Sequence, residues 1–339
     1  MKSYAVTFPS GTTEYIFQPG LDDLFRRAAP ASSIIITDEN IAALHGDKLR
    51  DYQVITIPAG ESAKKWETIE LLTRELIHLQ AHRNTMLIGL GGGVVTDITG
   101  FLASVYMRGV PFAFVPTTIL AMVDASIGGK NGVNVDIHKN MLGTIRQPAF
   151  IFYHHDFLTT LPDHEWSNGF AEVIKYGFIA DTQILNALSQ HSIAYFQKHQ
   201  QGLYELIEGC VAVKNKIVQA DEHETGLRKV LNFGHTAGHA FETLYHLPHG
   251  HAVGLGMLVA SRLSEKHLQL PAACTEKLHG LLEKYALPVR MDYDKEQVLQ
   301  VLQMDKKRNS KGIDYVLLEK AGVAVLKELP LSDIREGLS

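Results

Sequence analysis

One polar stripe on a predicted helix holds the side chains with the clearest chemistry. In NFGHTAGHAFE, the positions Asn232, His235, His239 and Glu242 recur at i, i+3, i+7 and i+10. A helix repeats every 3.6 residues, so these side chains share one face, and the other positions are small or apolar. Two histidines four residues apart can bind one metal ion together, or divide into a metal ligand and a catalytic group.

Two further motifs supply groups that could complete a metal site. PHGHAV offers His249 and His251, and AEVIKYG offers Glu172 and Lys175 on one face of another predicted helix. One carboxylate and two imidazoles from three separate elements leave a coordination position open, which is typical of a catalytic divalent-metal site. The sequence has no HEXXH pattern, so a zinc protease is not indicated.

A run of three glycines is a candidate dinucleotide site. Residues 87–101, LIGLGGGVVTDITGF, predict a strand, the glycines Gly91, Gly92 and Gly93, and a helix that begins near Asp97. Glycine lets the backbone approach a pyrophosphate closely, and a helix N-terminus offers N–H groups and a favourable dipole. The spacing is not GxGxxG, and the same residues also suit a tight strand-to-helix turn.

Residues 123–140 combine acidic, basic and amide side chains with glycine. Asp124, Lys130, Asn134, Lys139 and Asn140 occur in VDASIGGKNGVN and HKN, a segment without apolar periodicity. We expect a loop that lines a cleft, and two lysines beside glycines favour an anion site. A polar surface loop is the alternative.

Other cations are scattered along the chain. Each one taken alone is typical of a solvated surface charge. They are Arg108, Lys214, Arg228, Lys306 and Lys307.

The elements that must position these motifs fall into two parts. Up to about residue 155, β-branched runs alternate with amphipathic stretches, which indicates a parallel sheet with helices on its faces. From Leu161 onward, long helical periodicities dominate. We therefore expect an α/β N-terminal domain over residues 1–158 and an all-α C-terminal domain over residues 159–339. The predicted strands are residues 32–38, 53–58, 85–90, 112–118 and 150–154.

Composition limits the function classes. A chain of 339 residues with 45% hydrophobic and 20% charged residues is neither a small disulfide scaffold nor disordered. The net charge of −5 gives no global attraction for nucleic acid or an anionic membrane, so neither is an expected partner. Cys210 and Cys274 lack CxxC spacing, which favours a reducing compartment. No signal-peptide pattern or long apolar run occurs, so we expect a cytoplasmic location.

Motifs over about residues 55–320 resemble one enzyme family in order and nearly in spacing. They are GGGVVTD, YMRGV, VPTTILAMVDASIGGKNGVN, KNMLG, LTTLP, AEVIKYG, DE-x-E-TGLR, LNFGHTAGHAFE, HG-x-AVGLGM and DKK. The chain resembles the 3-dehydroquinate synthase family, one of the sugar phosphate cyclases. The resemblance implies a Rossmann-like, NAD-binding domain followed by a helical metal- and substrate-binding domain, a fold shared with glycerol dehydrogenases and iron-dependent alcohol dehydrogenases.

The resemblance also implies roles for particular residues. A divalent metal, zinc or cobalt, would be held by Glu172, His235 and His249. NAD would lie along Asp38, Asn40, Glu61, Lys64, Gly92, Gly93, Val94, Asp97, Thr117, Thr118, Lys130, Lys139 and Thr160. The substrate's phosphate and carboxylate would meet Arg108, Lys130, Asn140, Lys175, Lys214, Arg228, Asn232, His239 and one of Lys306 and Lys307. Asp124 would hold a substrate hydroxyl and the cofactor near the metal.

The chain departs from the family pattern near the third metal ligand. Family members usually read HGEAV where residues 249–253 read HGHAV, so His249 is assigned by matching HG and AV, and His251 could compete as the ligand. The segment between His239 and His249 is a few residues shorter than usual, and the usual Gly-Lys-Asn reads HKN at residues 138–140.

The implied reaction converts 3-deoxy-D-arabino-heptulosonate 7-phosphate, a sugar acid phosphate, to 3-dehydroquinate and phosphate in the shikimate pathway of aromatic amino acid biosynthesis. NAD would transiently oxidise the C5 hydroxyl while the metal polarises it. Phosphate elimination, re-reduction and an intramolecular aldol closure would follow. A homodimer is also implied.

Two alternatives stay open. One is another sugar phosphate cyclase, such as the 2-deoxy-scyllo-inosose synthase type. The other is a metal-dependent polyol dehydrogenase of the same fold, which would release NADH. The cations Arg228, Lys306 and Lys307, together with Asn232, favour a substrate that bears a carboxylate, because a neutral sugar end would leave buried charges unpaired.

Overall fold

A seven-stranded sheet forms the centre of the first unit of the chain, Met1–Pro162. The structure, a computed structural model, describes residues 1–136, 138–306 and 312–338. The strands of this unit are β1 (Lys2–Phe8), β2 (Gly11–Phe17), β3 (Ser33–Asp38), β4 (Gln53–Ile57), β5 (Met86–Gly91), β6 (Phe112–Pro116), β7 (Lys130–Val135), β8 (His138–Ile145) and β9 (Phe150–Tyr153). The sheet order is β1-β2-β9-β6-β5-β3-β4, while β7 and β8 form a separate antiparallel hairpin.

The sheet is parallel apart from the antiparallel pair of β1 and β2. Its central strands β5 and β6 are apolar runs that are buried almost throughout, as expected for parallel strands covered on both faces. The helices of this unit are α1 (Leu21–Arg27), α2 (Glu39–His45), α3 (Trp66–His78) and α4 (Gly93–Val105). The predicted cofactor residues Asp38 and Gly92 lie at the carboxyl ends of β3 and β5, the ends at which parallel sheets bind ligands.

The second unit, Asp163–Ser339, is mainly helical. Its helices are α5 (Asp163–Ile179), α6 (Thr182–Gln190), α7 (Ile193–Lys198), α8 (Gln200–Ala220), α9 (His235–Tyr245), α10 (His249–Leu268), α11 (Ala272–Lys284), α12 (Lys295–Lys306) and α13 (Leu331–Gly337). An antiparallel hairpin joins β10 (Ile313–Lys320) to β11 (Val323–Leu329). Helix α10 packs against α5, α9, α11 and β10.

The predicted fold class is confirmed, and the five predicted strands are β3, β4, β5, β6 and β9. The prediction of an all-α second domain is wrong in one respect, because this unit also contains the hairpin of β10 and β11. The unit boundary follows Pro162, four residues after the boundary predicted from the sequence at residue 158. Within the described residues, no helix is both long enough and apolar enough to span a membrane.

Candidate active site

Three potential metal ligands come together in the second unit. Glu172 on α5, His235 on α9 and His249 on α10 each offer one ligand atom, and these atoms lie within 4.8 Å of one another. Glu172 Oε1 is 3.5 Å from His235 Nε2 and 3.3 Å from His249 Nε2. The carboxylate is fully buried, while the two imidazoles are partly exposed. One carboxylate with two imidazoles fits a divalent cation and leaves a coordination position for substrate or water.

Two glycines allow the three helices to approach closely enough for this arrangement. A Cβ on Gly250 would lie 2.1 Å from the carbonyl oxygen of Asn168, one turn before Glu172 on α5. A Cβ on Gly256 would lie 1.9 Å from the carbonyl oxygen of Gly234, which directly precedes α9. The backbone N–H of Gly250 also donates to Asn168 Oδ1 at 2.6 Å. Helix α10 therefore lies against the backbones of α5 and α9 at their ligand-bearing turns.

The second oxygen of Glu172 has a different partner. Glu172 Oε2 pairs with the ammonium of Lys175, which is only 1% exposed and lies one turn further along α5. Burial, together with the positive charge of Lys175, lowers the pKa of His235 to about 3. This imidazole is therefore neutral at pH 7, which is the form that binds a cation.

His249 has the opposite electrostatic environment. Its Nδ1 lies 3.6 Å from Oε2 of Glu242, a residue of the polar stripe to which the sequence analysis gives no role. Burial opposes the charged form of His249, but hydrogen bonds to Glu172 and Glu242 outweigh it and raise the pKa to about 9. A carboxylate on Nδ1 is the usual companion of a histidine that binds metal through Nε2.

The structure favours His249 over His251 as the third ligand. Among the described residues, only Glu172, His235 and His249 form a ligand group of this kind. His251 lies near His164 and Glu165 instead, and burial lowers its pKa. The three ligand roles stay predictions.

Arg228 is held inside a short turn of the second unit. It is 3% exposed, and its NH1 donates to the carbonyl oxygen of Glu222 at 2.5 Å. Its backbone N–H donates to the carboxylate of Asp221, which also accepts the N–H groups of Thr225 and Gly226. These three backbone donors lower the pKa of Asp221 to about 2. The turn therefore fixes the orientation of the guanidinium.

The other predicted substrate residues of the second unit differ in burial. Lys214 on α8 is 6% exposed, whereas His239 on α9 is exposed, with its ring 5.3 Å from that of His235. Asn232 donates through Nδ2 to Glu224 Oε1 at 2.7 Å. Lys306 is the last residue of α12, and its side chain lies outside the described part of the chain. Lys307 lies outside the described residues altogether.

In the first unit, the glycine run connects β5 to α4. Helix α4 begins at Gly93 with Gly92 as its N-cap, so the predicted start near Asp97 is wrong by four residues. Glycine carries no capping side chain, and the usual start signal is therefore missing from the sequence. Val94 lies half-buried in the first turn, whose N–H groups lack acceptors within the helix.

Two threonines follow the neighbouring strand β6. Thr117 donates its backbone N–H to the carbonyl oxygen of Gly91 at 3.0 Å, and Thr118 Oγ1 accepts the N–H of Ala121. The hydroxyl of Thr117 is buried and finds no hydrogen-bond partner among the residues that the structure describes. An uncapped helix start beside this hydroxyl fits the phosphates of a dinucleotide.

Lys64 connects the glycine turn to the hairpin of β7 and β8. It is 6% exposed, and its ammonium donates to Asp97 Oδ2 at 2.5 Å and to Asn140 Oδ1 at 2.6 Å. The carboxylate of the exposed Glu61 accepts a hydrogen bond from Asn134 at 2.8 Å. The structure thus brings together four of the predicted cofactor and substrate residues, namely Glu61, Lys64, Asp97 and Asn140.

The remaining predicted cofactor residues of this unit lie at other turns. Asp38 caps α2 by accepting the N–H of Ile41 at 3.0 Å, and Asn40 is exposed in the first turn of that helix. Thr160 Oγ1 lies 2.8 Å from Nε2 of His45, a histidine whose pKa is lowered mainly by burial.

The predicted loop at residues 123–140 is wrong in its second half. Asp124 lies in a π-helical turn, Ala121–Ala125, and Lys130 begins β7. Lys139 and Asn140 belong to β8, and both lysines are exposed. The hairpin pairs Gly132 with Gly143, where a Cβ on either would lie 2.6 Å from the facing strand backbone. Strands that pair through glycines lack the alternation of apolar and polar residues by which a strand is predicted from sequence.

Arg108 lies in an unusual turn after α4. Met107, Arg108 and Gly109 have φ values of 49°, 67° and 119°, three consecutive residues in the left-handed region. The Arg108 side chain is exposed. The turn therefore projects a cation at the cost of backbone strain, which is common at functional positions.

Family models match both units of the chain. The model described as 3-dehydroquinate synthase N-terminal matches residues 54–168, and the one described as 3-dehydroquinate synthase C-terminal matches residues 169–308. The chain belongs to the 3-dehydroquinate synthase family. It is 39% identical over 316 residues to the 3-dehydroquinate synthase of Nitrosomonas europaea, an alignment that covers 90% of this chain and 86% of that protein.

Solved structures of related cyclases share the fold. A 2-epi-5-epi-valiolone synthase from Streptomyces hygroscopicus with NAD⁺ and Zn²⁺ bound has a TM-score of 0.88 and 27% identity, covering 100% of this chain and 98% of that chain. A 2-deoxy-scyllo-inosose synthase complexed with carbaglucose-6-phosphate, NAD⁺ and Co²⁺ has a TM-score of 0.87 and 22% identity, covering 99% of each chain. At 22% identity, the similarity to the 2-deoxy-scyllo-inosose synthase shows only that the fold is shared.

Proposed function

We propose that this chain is an NAD- and metal-dependent carbon–oxygen lyase that converts 3-deoxy-D-arabino-heptulosonate 7-phosphate to 3-dehydroquinate and phosphate. The observation that carries the proposal is the buried carboxylate of Glu172 with His235 and His249 against it, in a chain of the 3-dehydroquinate synthase family. The NAD⁺ and Zn²⁺ bound by the Streptomyces synthase support the same cofactors here.

Glu172, His235 and His249 would hold the divalent cation, with zinc as the first choice and cobalt as the second. When bound, the cation acts as a Lewis acid on a substrate hydroxyl, and NAD accepts and returns a hydride. Lys175 keeps one oxygen of Glu172 engaged, so the other oxygen is directed at the two imidazoles. A low pKa keeps His235 neutral and able to coordinate.

The cations of the second unit would bind the substrate's charged ends. Arg228 presents a guanidinium whose NH1 is fixed by a backbone carbonyl, so its planar fork can meet a carboxylate in one orientation. Lys214 adds a buried cation, and Asn232 adds an amide held by Glu224. Anion clamps of this kind hold one substrate conformation through successive steps.

In the first unit, the start of α4 and Lys64 would bind NAD. The N–H groups of the first turn would meet its phosphates, and the Thr117 hydroxyl would donate or accept one further hydrogen bond. Lys64 balances the charge of Asp97, which keeps that carboxylate from repelling the cofactor phosphates.

The test follows phosphate release from the heptulosonate phosphate with purified protein, zinc and substoichiometric NAD. We expect product in excess of NAD without build-up of NADH absorbance. NADH accumulating in step with product would instead support a polyol dehydrogenase. Comparable turnover of sedoheptulose 7-phosphate or glucose 6-phosphate would instead support another sugar phosphate cyclase.

Arg228 variants test the substrate's carboxylate. Loss of a buried charge-assisted contact costs about 2–5 kcal/mol, so Arg228→Ala should lower kcat/KM by roughly 30-fold to several thousand-fold. Arg228→Lys should lose less, because it keeps the charge without the planar fork. The exposed Arg290 offers a control, and Arg290→Ala should leave kcat/KM unchanged. An indifferent Arg228→Ala would contradict the assignment of the substrate.

A homodimer and a cytoplasmic location stay predictions of the sequence, as does the absence of nucleic-acid and membrane partners. Exposed apolar side chains of the first unit, Trp66 at 50% and Met141 at 65% exposure, support self-association. Sedimentation analysis of the protein and of Met141→Glu would test it, with a concentration-independent monomer contradicting the dimer.

A further inference from the structure

Asn134 joins two segments that the proposed function uses. Its position in β7 places its backbone N–H 2.8 Å from the carbonyl oxygen of Lys64, so the hairpin is bonded to the segment that begins at Glu61. Its side chain then reaches in two directions. Nδ2 donates to Glu61 Oε1 at 2.8 Å, and Oδ1 accepts the backbone N–H of Asn140 at 2.8 Å.

These two bonds fix the orientation of the amide. A carboxylate can only accept and a backbone N–H can only donate, so rotating the amide by 180° would lose both bonds. The Asn134 side chain therefore links Glu61 to Asn140 through hydrogen bonds of defined direction.

The connection also determines the backbone of Asn140. This residue has a φ of 56°, a left-handed conformation that is uncommon outside glycine and that asparagine tolerates better than most residues. The bond from its N–H to Asn134 holds this conformation, and in it Asn140 Oδ1 accepts from Lys64 at 2.6 Å. The chain of contacts therefore runs from Glu61 through Asn134 and Asn140 to Lys64 and Asp97.

We propose that Asn134 is a positioning residue, whose side-chain amide holds the cofactor residues Glu61 and Lys64 and the substrate residue Asn140 in one geometry. The proposal rests on the proposed function for the roles of these three neighbours. It adds a residue that contacts neither the substrate nor the cofactor in that scheme and acts through the residues that do.

The test exchanges the donor and the acceptor of the Asn134–Glu61 bond. Asn134→Asp has nearly the same shape and keeps the acceptor for Asn140, but it places a second carboxylate against Glu61. Glu61→Gln supplies an amide donor at the other end, so the double variant restores this hydrogen bond with its direction reversed, while the Asn140 N–H still donates to residue 134. Glu61→Gln alone also keeps the bond, because its amide oxygen can still accept from Asn134.

The primary readout is the dissociation constant for NAD, measured by calorimetry without substrate, followed by KM and kcat for the heptulosonate phosphate. With Glu61 intact, we expect Asn134→Asp to weaken NAD binding and to raise KM by about tenfold each, the effect of losing a net hydrogen bond and adding a like charge. In the Glu61→Gln background, the same substitution should change either value by less than about threefold. Comparison within each background removes the contribution of Glu61 itself.

His138→Ala is the matched control, because this side chain is exposed in the same hairpin and should change nothing. Unaltered NAD binding and KM in Asn134→Asp would overturn the proposal. So would an equal loss in both backgrounds, since the effect would then not pass through the bond to Glu61. If the cycle on NAD affinity behaves as expected but the unmodified protein releases no phosphate from the heptulosonate phosphate, the proposed function fails while the positioning of the cofactor residues by Asn134 stands.

Discussion

The raised pKa of His249 predicts that metal binding must displace a proton. In the metal-free protein this pKa is about 9, whereas the usual value for histidine is 6.5. At pH 7 a group with a pKa of 9 is neutral in about 1% of molecules, against about three quarters for an unperturbed histidine. Only the neutral imidazole coordinates, so proton competition weakens the apparent metal affinity at pH 7 by about 75-fold, or about 2.5 kcal/mol.

Two measurements check this prediction. Nuclear magnetic resonance of the metal-free protein with labelled histidine should show His249 titrating near pH 9, while His251 titrates below its usual range. Apparent metal affinity should rise about tenfold between pH 7 and pH 8, since each pH unit multiplies the neutral fraction about tenfold. Glu242→Gln removes one of the two carboxylates that raise the pKa and should move the titration of His249 towards 6.5.

The shifted pKa values of His249 and His235 also determine how the folding stability of the metal-free protein changes with pH. His249 binds its proton more tightly when folded, so its contribution is fully present below pH 6.5 and is lost as the pH rises through 9. His235 has a folded pKa of about 3, so its contribution is present above pH 6.5 and is lost as the pH falls through 3. Titration of His249 near 6.5 with a flat metal affinity between pH 7 and 8 would refute the reasoning.

Three further predictions concern the ligand choice, the glycine turn and the turn before α9. His249→Ala should reduce bound metal measured by atomic absorption, whereas His251→Ala should retain most of it; the reverse result would mean that the ligand is misassigned. Gly91→Ala should lower the free energy of unfolding by about 1–3 kcal/mol in a denaturant titration, because a Cβ there would lie 2.6 Å from the Val95 side chain in the first turn of α4. Gly46→Ala is its control, with open space around the new methyl among the described residues, and an equal loss in both would contradict the packing argument. Asp221→Asn should lower kcat/KM. It should also remove a contribution to folding stability that is present above pH 4 and is lost as the pH falls through about 2. Acid unfolding of the unmodified protein and of the variant would test this.

The buried strands of the first unit were predictable from the sequence, but the edge strand β1 of its sheet was not. Strands such as β5 and β6 are continuous apolar runs, because neighbours cover both of their faces. The edge strand β1, with the sequence KSYAVTF, is partly solvated and mixes polar with apolar residues, so it lacks that signal. Strands β10 and β11 were missed although each contains a β-branched run, because helical periodicity dominates the sequence around them.

The residue types of three motifs predicted a metal site, whereas the choice of His235 and His249 as its histidine ligands came from the resemblance to the family. Spacing on α9 showed that His235 and Glu242 share a face, but the sequence could not show that Glu242 lies beside His249 on another helix. That contact depends on how closely α9 and α10 pack, which glycine contacts decide. The opposite pKa shifts of His235 and His249 have the same origin, since burial and charged neighbours are properties of the folded chain.

The predicted cationic site residues differ in burial, which the sequence alone does not show. A lysine or arginine is rarely fully buried unless it is paired, because removing its charge from water is costly. Lys64 of the first unit and Lys175 and Arg228 of the second unit are 6%, 1% and 3% exposed, and each has an acceptor within its own unit: Asp97, Glu172 and a backbone carbonyl, respectively. These pairs hold the side chains in one geometry before a ligand arrives, whereas the exposed Arg108 keeps more rotamer freedom. Preorganised charges stabilise a transition state without further rearrangement, so replacement of Lys64, Lys175 or Arg228 should lower kcat as well as raise KM.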